Sequence, residues 1–250
     1  MTALLQTTDL TVQFGGLKAC NDISLDVQRG ELLGLIGPNG AGKTTFINAI
    51  TGFVPHSGSV MFEGDEISGL PPHRVAHKGL TRTWQSLELF DDISVRANLD
   101  VAATRLTPGV AIKDYFGRSQ RIAERVDATI DALEMHEIEY AQPNDLSMGY
   151  RKLVGVARAL VADTELVLLD EPAAGLDRSE TEWLAQKLRE IIDFGISVLL
   201  VDHDMGLVLN VCDRIHVIDF GKTIAVGAPA EIRNDDAVIA AYLGSTGGQE

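Results

Sequence analysis

The segment Gly37-Pro38-Asn39-Gly40-Ala41-Gly42-Lys43-Thr44-Thr45 constrains this chain more than any other stretch. It follows the apolar run Leu32–Ile36, suited to a buried strand. It leads into Thr44–Thr51, which reads as the first turns of a helix ended by Gly52. Glycines let the backbone bend until successive N–H groups converge on an anion. The helix start adds unpaired N–H groups and the positive end of its dipole. Gly37-x-x-x-x-Gly42-Lys43-Thr44 therefore fits a phosphate-binding P-loop in a strand–loop–helix context. In such a loop Lys43 is expected against the β- and γ-phosphates, and the Thr44 hydroxyl on Mg²⁺.

A second feature supplies the acids that hydrolysis needs. The apolar run Leu166–Leu169 ends in Asp170-Glu171-Pro172. A buried strand there delivers two carboxylates to the carboxyl edge of a sheet, where α/β proteins bind ligands. Asp170 suits a Walker B role on the water shell of Mg²⁺. Glu171 is then placed to polarise an attacking water as general base. Acids at strand ends are commonplace, and it is the pairing with the glycine loop that gives these two their meaning.

Apolar strands alternating with helices predict an α/β sheet. Leu4–Phe14 carries β-formers, Gly15-Gly16 is a turn, and Ile23–Val27 alternates as one strand. Ser57–Phe62, Ser197–Val201 and Ile215–Ile218 read as further strands. Pro71-Pro72 opens a helix. Arg151–Leu160 and Glu180–Ile192 have helical period. From about Ser94 to Tyr140 the pattern is mostly helical, with Ile122, Val126, Ile130 and Leu133 at spacings of three and four and a loop at Thr107-Pro108-Gly109. This block is the best candidate for an inserted helical subdomain.

The 250 residues, 45% hydrophobic, suffice for one large domain or a domain with a subdomain. A net charge of −15 makes the chain a poor sequence-independent nucleic-acid binder, and leaves room only for a local basic patch around Arg118, Arg121 and Arg125. Cys20 and Cys212 lie far apart and fit a reducing compartment better than a disulfide framework. His56, His73, His77, His136 and His216 lack metal-ligand spacing. No apolar run spans a bilayer and the start is no signal peptide, so any link to a membrane is expected to run through a partner.

Further segments, in order, resemble the motifs of the ABC ATPases. Leu146-Ser147-Met148-Gly149-Tyr150 resembles their signature, with Met148 and Tyr150 departing from the common Leu-Ser-Gly-Gly-Gln. Gln85 resembles the Q-loop, Ala174-Gly175-Leu176-Asp177 the D-loop and His203 the H-loop. Phe14 stands where the family's adenine-stacking aromatic lies, although an aromatic at a strand end is as readily core. Gly79–Phe90, Asp170–Asp177, Asp202-His203-Asp204-Met205 and Val238–Gly244 are similar to ATPase subunits of branched-chain amino acid importers, and to related urea and amide importers.

The resemblance implies a P-loop NTPase core with an antiparallel β subdomain and an inserted helical subdomain. Residues 1–85 and 160–250 would form the β and RecA-like core, and 86–159 the helical signature subdomain. It further implies that Phe14 stacks adenine and that Gly37, Pro38, Asn39, Gly40, Ala41, Gly42, Lys43, Thr44 and Thr45 hold the nucleotide. Thr44, Gln85 and Asp170 would serve Mg²⁺. Glu171 would act on water with Lys43, Gln85 and His203 around the γ-phosphate. Ser147 and Gly149 would serve the ATP of a second ATPase subunit, identical or paralogous. Transmembrane permease subunits and, indirectly, a substrate-binding protein complete the implied assembly at the cytoplasmic face of the inner membrane. The Trp84–Phe90 stretch would contact the permease, unless its apolar residues are ordinary core. A nucleotide-gated module with weak hydrolysis and a soluble non-transport ABC ATPase are the alternatives.

Overall fold

Three runs are buried at every position: β4 (Leu32–Ile36), β8 (Leu166–Asp170) and β9 (Ser197–Val201), as named here in chain order. Such runs suit strands of a parallel sheet covered on both faces. The computed structural model of the chain describes residues 3–83, 89–104 and 112–245, with the side chains of 112–119 and 243–245 left aside.

The central sheet has the order β11-β10-β4-β9-β8-β7, where β7 is Leu80–Arg82, β10 is Arg214–Asp219 and β11 is Lys222–Gly227. All its pairs are parallel except β10 with the edge strand β11. Side chains alternate between two apolar clusters, as the two-residue period of a strand requires. Leu33, Leu35, Leu166, Leu168, Leu199 and Val201 join one cluster; Leu32, Ile36, Val167, Leu169, Val198 and Leu200 join the other.

The first cluster is roofed by an antiparallel sheet of β1 (Leu5–Phe14), β2 (Leu17–Ile23), β3 (Asp26–Val27), β5 (Ser57–Phe62) and β6 (Asp65–Glu66). Helix α1 (Lys43–Ile50) lies within it through Phe46, Ile47 and Ile50. This is the expected antiparallel β portion, with one correction. Ile23–Val27 is not a single strand: β2 ends at Ile23, and β3 pairs with the far end of β1. Asp9 at φ 50 and Asp22 at φ 57 break the ladder there, so β1 changes partner along its length.

Helix α2 (Pro72–His77) begins on a proline and leads into β7. The second cluster takes up α3 (Val95–Ala103), α4 (Ile112–Ala132), α5 (Met148–Leu160), α6 (Arg178–Asp193), α7 (Met205–Val211), α8 (Pro229–Ile232) and α9 (Asp236–Ser245). Val126, Ile130 and Leu133 are buried at the helical spacing that predicted them. The helical block shares one apolar cluster with Val167 and Leu169 of β8 instead of having a core of its own. Asn98, fully buried on α3, braces the segment before that helix by accepting from Phe90 N and donating to the Phe90 carbonyl.

β7, β11 and α7 to α9 went unrecognised in the sequence, because these elements carry no clear two-residue or helical alternation of their own and take their form from their partners. Thr107-Pro108-Gly109, the domain edge expected at 85/86 and the last residues of the tail lie outside the described residues; the edge expected at 159/160 falls at the end of α5. Of the basic cluster, Arg125 is paired with Asp163. No helix among the described residues is long and apolar enough to cross a membrane.

Candidate nucleotide site

The glycine loop leaves the carboxyl end of β4, between β10 and β9. Its tight course demands glycine at two positions. A Cβ on Gly37 would lie 2.0 Å from the Ile218 carbonyl oxygen, and one on Gly42, at φ +106, would lie 2.3 Å from that of Ala19. Gly42 is also the N-cap of α1 and, having no side chain, leaves the first-turn amides without a cap from that position. Thr44 is exposed and Thr45 half-buried at this end. Lys43 is buried and folds back over the loop, its Nζ donating to the carbonyls of Gly37 at 2.6 Å and Pro38 at 3.0 Å. Burial pushes its ammonium below the usual lysine range, while the carboxylates of Glu171, Asp170 and Asp202 act to raise it. The parallel strands β8 and β9 bring those three acids to the same sheet edge as the loop.

Asp170 ends β8 with 3% of its side chain exposed. Its Oδ2 accepts from Arg82 Nη2 at 2.8 Å, while Oδ1 is buried without a hydrogen bond among the described residues. Glu171 follows at φ 51, a left-handed conformation uncommon for a side chain of this size, with its N–H on the Val201 carbonyl at 2.7 Å. The adjacent strand β9 brings Asp202 and His203 alongside. His203, 58% exposed, has Nδ1 3.8 Å from Glu171 Oε1.

Asp202 is fully buried and accepts the backbone N–H groups of Ala173, His203 and Asp204. It therefore pins the turn after Glu171 to the loop carrying His203. Burial raises its carboxyl above the usual range against these hydrogen bonds. Lys152, buried on α5, donates to the Glu171 carbonyl at 3.4 Å. Burial holds its ammonium low, opposed by Asp202 and Glu171.

The segment resembling a signature forms the start of α5. Ser147 is its N-cap, with Oγ accepting from Tyr150 N at 3.4 Å. Gly149 N donates to Glu180 Oε1 of α6 at 3.2 Å. Glu180 also closes a capping box with Asp177: Glu180 N donates to Asp177 Oδ1 at 2.8 Å, and Asp177 N to Glu180 Oε2 at 3.2 Å. Ser147, Gly149, Tyr150, Ser179, Glu180 and Trp183 line a cavity of about 240 Å³. Tyr150 stacks edge-on against Trp183 with centroids 5.2 Å apart, which gives this unusual signature residue a packing partner within its own chain.

The structure thus brings Lys43, Asp170, Glu171 and His203 together, and sets Ser147 and Gly149 apart beside α6. Phe14, 53% exposed at the end of β1, keeps much of its ring free. Gln85 and Trp84 lie outside the described residues. Leu89 packs on the second cluster, while Phe90 is exposed with the Arg158 guanidinium 5.3 Å from its ring centroid. Among the described residues no cluster of His, Cys, Asp and Glu forms a ready metal cage, and both cysteines are free and buried. The donor set suits a cation shared with phosphate: a buried carboxylate oxygen at Asp170 with no hydrogen bond among the described residues, and an exposed hydroxyl at Thr44. Arg82, Asp202, Lys152 and Glu180 were not foreseen as site residues. Arg82 and Asp202 stood inside motif segments, which was the one available signal.

Residues 20–174 match the family model described as ABC transporter, and residues 222–247 the model described as branched-chain amino acid ATP-binding cassette transporter. The chain is 39% identical to the high-affinity branched-chain amino acid transport ATP-binding protein BraF of Pseudomonas aeruginosa, with 96% of this chain and 98% of that protein covered. It is 38% identical to the corresponding protein LivG of Escherichia coli strain K12, again over 96% and 98%. A crystal structure of an ATP-binding cassette of an ABC transporter in its ADP conformation superimposes with a TM-score of 0.85 at 28% identity, covering 98% of this chain and 100% of the other.

Proposed function

This chain belongs to the ABC transporter ATPase family, and on that premise we propose that it is the ATP-hydrolysing subunit of an importer for branched-chain amino acids or a related small polar solute. One observation carries the hydrolytic part: the glycine loop leaves the carboxyl end of β4, and Asp170-Glu171 and Asp202-His203 stand at the same end of the neighbouring parallel strands β8 and β9. The importer part is supported by the match of residues 222–247 and by the likeness to BraF and LivG.

In this reading Phe14 stacks the adenine. The amides of Gly37–Thr45 and the Lys43 ammonium hold the phosphates. Asp170, Thr44 and Gln85 would hold Mg²⁺, which when bound would supply positive charge against the phosphates. Glu171 takes a proton from the attacking water. His203 contacts the γ-phosphate from beside Glu171, and Asp202 keeps the two loops in register. Ser147 and Gly149 meet the ATP of a second ATPase subunit. ATP then favours the closed pair, and loss of the γ-phosphate releases it. The pair attaches to permease subunits at the cytoplasmic face of the inner membrane, fed by a substrate-binding protein. Nucleic acid has no part in it.

The test is reconstitution with the permease subunits and binding protein in vesicles. ATP turnover is expected to rise when a branched-chain amino acid is supplied with the binding protein. Turnover indifferent to the membrane subunits would reject the importer reading.

A further inference from the structure

Among the described residues Asp170 has one committed oxygen and one uncommitted, and Arg82 distinguishes them. Arg82 ends β7, three positions before Gln85, and its side chain is only 7% exposed. Nη2 donates to Asp170 Oδ2 at 2.8 Å and Nη1 to Asn48 Oδ1 at 2.5 Å. Asn48 lies on α1, one helical turn beyond Thr44. A single guanidinium therefore links three elements at the proposed phosphate site: the strand before Gln85, the helix after the glycine loop, and the strand that ends in Asp170.

A buried carboxylate needs a partner, because an unpaired buried charge is strongly destabilising. A pair that served stability alone would be expected to satisfy both oxygens. Here Oδ1 is left buried and without a hydrogen bond among the described residues. The guanidinium is planar, so its fork fixes the orientation of the carboxylate it grips. Lysine at 82 would place one compact charge there and could not copy the fork toward both Asp170 and Asn48.

We propose that Arg82 is a positioning residue for the metal-facing acid: by holding Asp170 Oδ2 and Asn48 it presents Asp170 Oδ1 to Mg²⁺ beside the phosphates. The inference rests on the assignment of Asp170 to the metal. It adds a route by which the segment leading to Gln85 is mechanically tied to the same carboxylate, through the parallel pairing of Arg82 with Leu168 on β8.

The test is fluorescence titration of the full chain with a non-hydrolysable ATP analogue, in EDTA and in excess Mg²⁺. The parent is compared with Arg82→Gln, Arg82→Lys, Asp170→Asn and the Arg82→Gln/Asp170→Asn double variant. Arg82→Gln is expected to keep its affinity in EDTA and to lose about ten-fold of the gain that Mg²⁺ confers, the loss typical when a residue supporting a metal ligand is removed. Arg82→Lys should fall between it and the parent. The double variant should lose no more than Asp170→Asn alone, because Arg82 acts through Asp170.

An Arg82→Gln chain with the parental Mg²⁺ gain, set against an Asp170→Asn chain that has lost it, would overturn the proposal. An Asp170→Asn chain that keeps the gain would instead reject the metal assignment beneath it. If Arg82→Gln does not fold, Arg82→Lys, which keeps a charge beside Asp170, carries the test: a parental Mg²⁺ gain overturns the proposal, and a reduced one supports it.

Discussion

The Gly149 amide donates to the Glu180 carboxylate at 3.2 Å, although the two residues start different helices. The other oxygen of that carboxylate takes the Asp177 amide. One side chain therefore caps α6 and occupies an amide at the start of α5, where the nucleotide of a second subunit is proposed to dock. Glu180→Gln keeps the shape and removes the charge. One acceptor oxygen then remains for two amides; with the capping box keeping it for Asp177, the NH₂ group faces Gly149 N, which is expected to release that amide and lower the ATP concentration at which dimers form several-fold, read by size exclusion at graded ATP. Glu180→Ala should in addition lose about 1 kcal/mol of stability with the capping box.

Glu171→Gln should retain nucleotide binding and slow hydrolysis by at least about a hundred-fold, the lower range for a general base. The closed dimer should accumulate on size exclusion in ATP. Its backbone bond to Val201 is untouched by the change, so the fold is expected to survive. Unchanged turnover would remove Glu171 as the base.

Met148 is the first residue of α5 and 43% exposed. Its side chain stands where the common signature has only a glycine backbone. Met148→Gly is expected to raise ATP turnover by easing the approach of the second subunit. The stability penalty should stay within about 1 kcal/mol, since glycine is being placed at a helix end. A fall in turnover would make Met148 an adapted contact.

His216 gives the fold an acid limit. Burial pushes its imidazole down to about 4 from the usual 6.5, Arg214 adds to the shift and Asp26 opposes it. Nε2 lies 2.7 Å from Thr223 Oγ1 on β11. Between those values the unfolded chain binds a proton that the folded chain refuses. This contribution to stability is therefore complete above pH 6.5 and declines as the pH falls toward 4. From about pH 7.5 to about pH 5.5 it should remove on the order of 1 kcal/mol. Urea unfolding at the two values measures it, and His216→Gln should flatten that slope.

The glycine loop, the two acids and strands β4, β8 and β9 were legible from residues alone. A phosphate cradle needs its glycines, lysine and threonine contiguous, and a strand buried on both faces needs an unbroken apolar run; both are local demands. The signature was legible as a motif, yet Tyr150 read there as a mere departure. Its ring packs on Trp183, which only the docking of α5 on α6 could reveal.

What tertiary structure alone decided is which distant groups share an environment. Arg82 meets Asp170 across 88 positions because β7 lies beside β8 in parallel register. Asp202 reaches the Ala173 amide because β9 lies on the other side of β8. Glu180 finds Gly149 because two helix starts converge. Strand order is set by how the faces of the whole sheet are covered, and no short stretch of sequence encodes that. The sequence by itself determined a glycine loop after a buried strand and two acids at the end of another; the sheet decided how those acids are held.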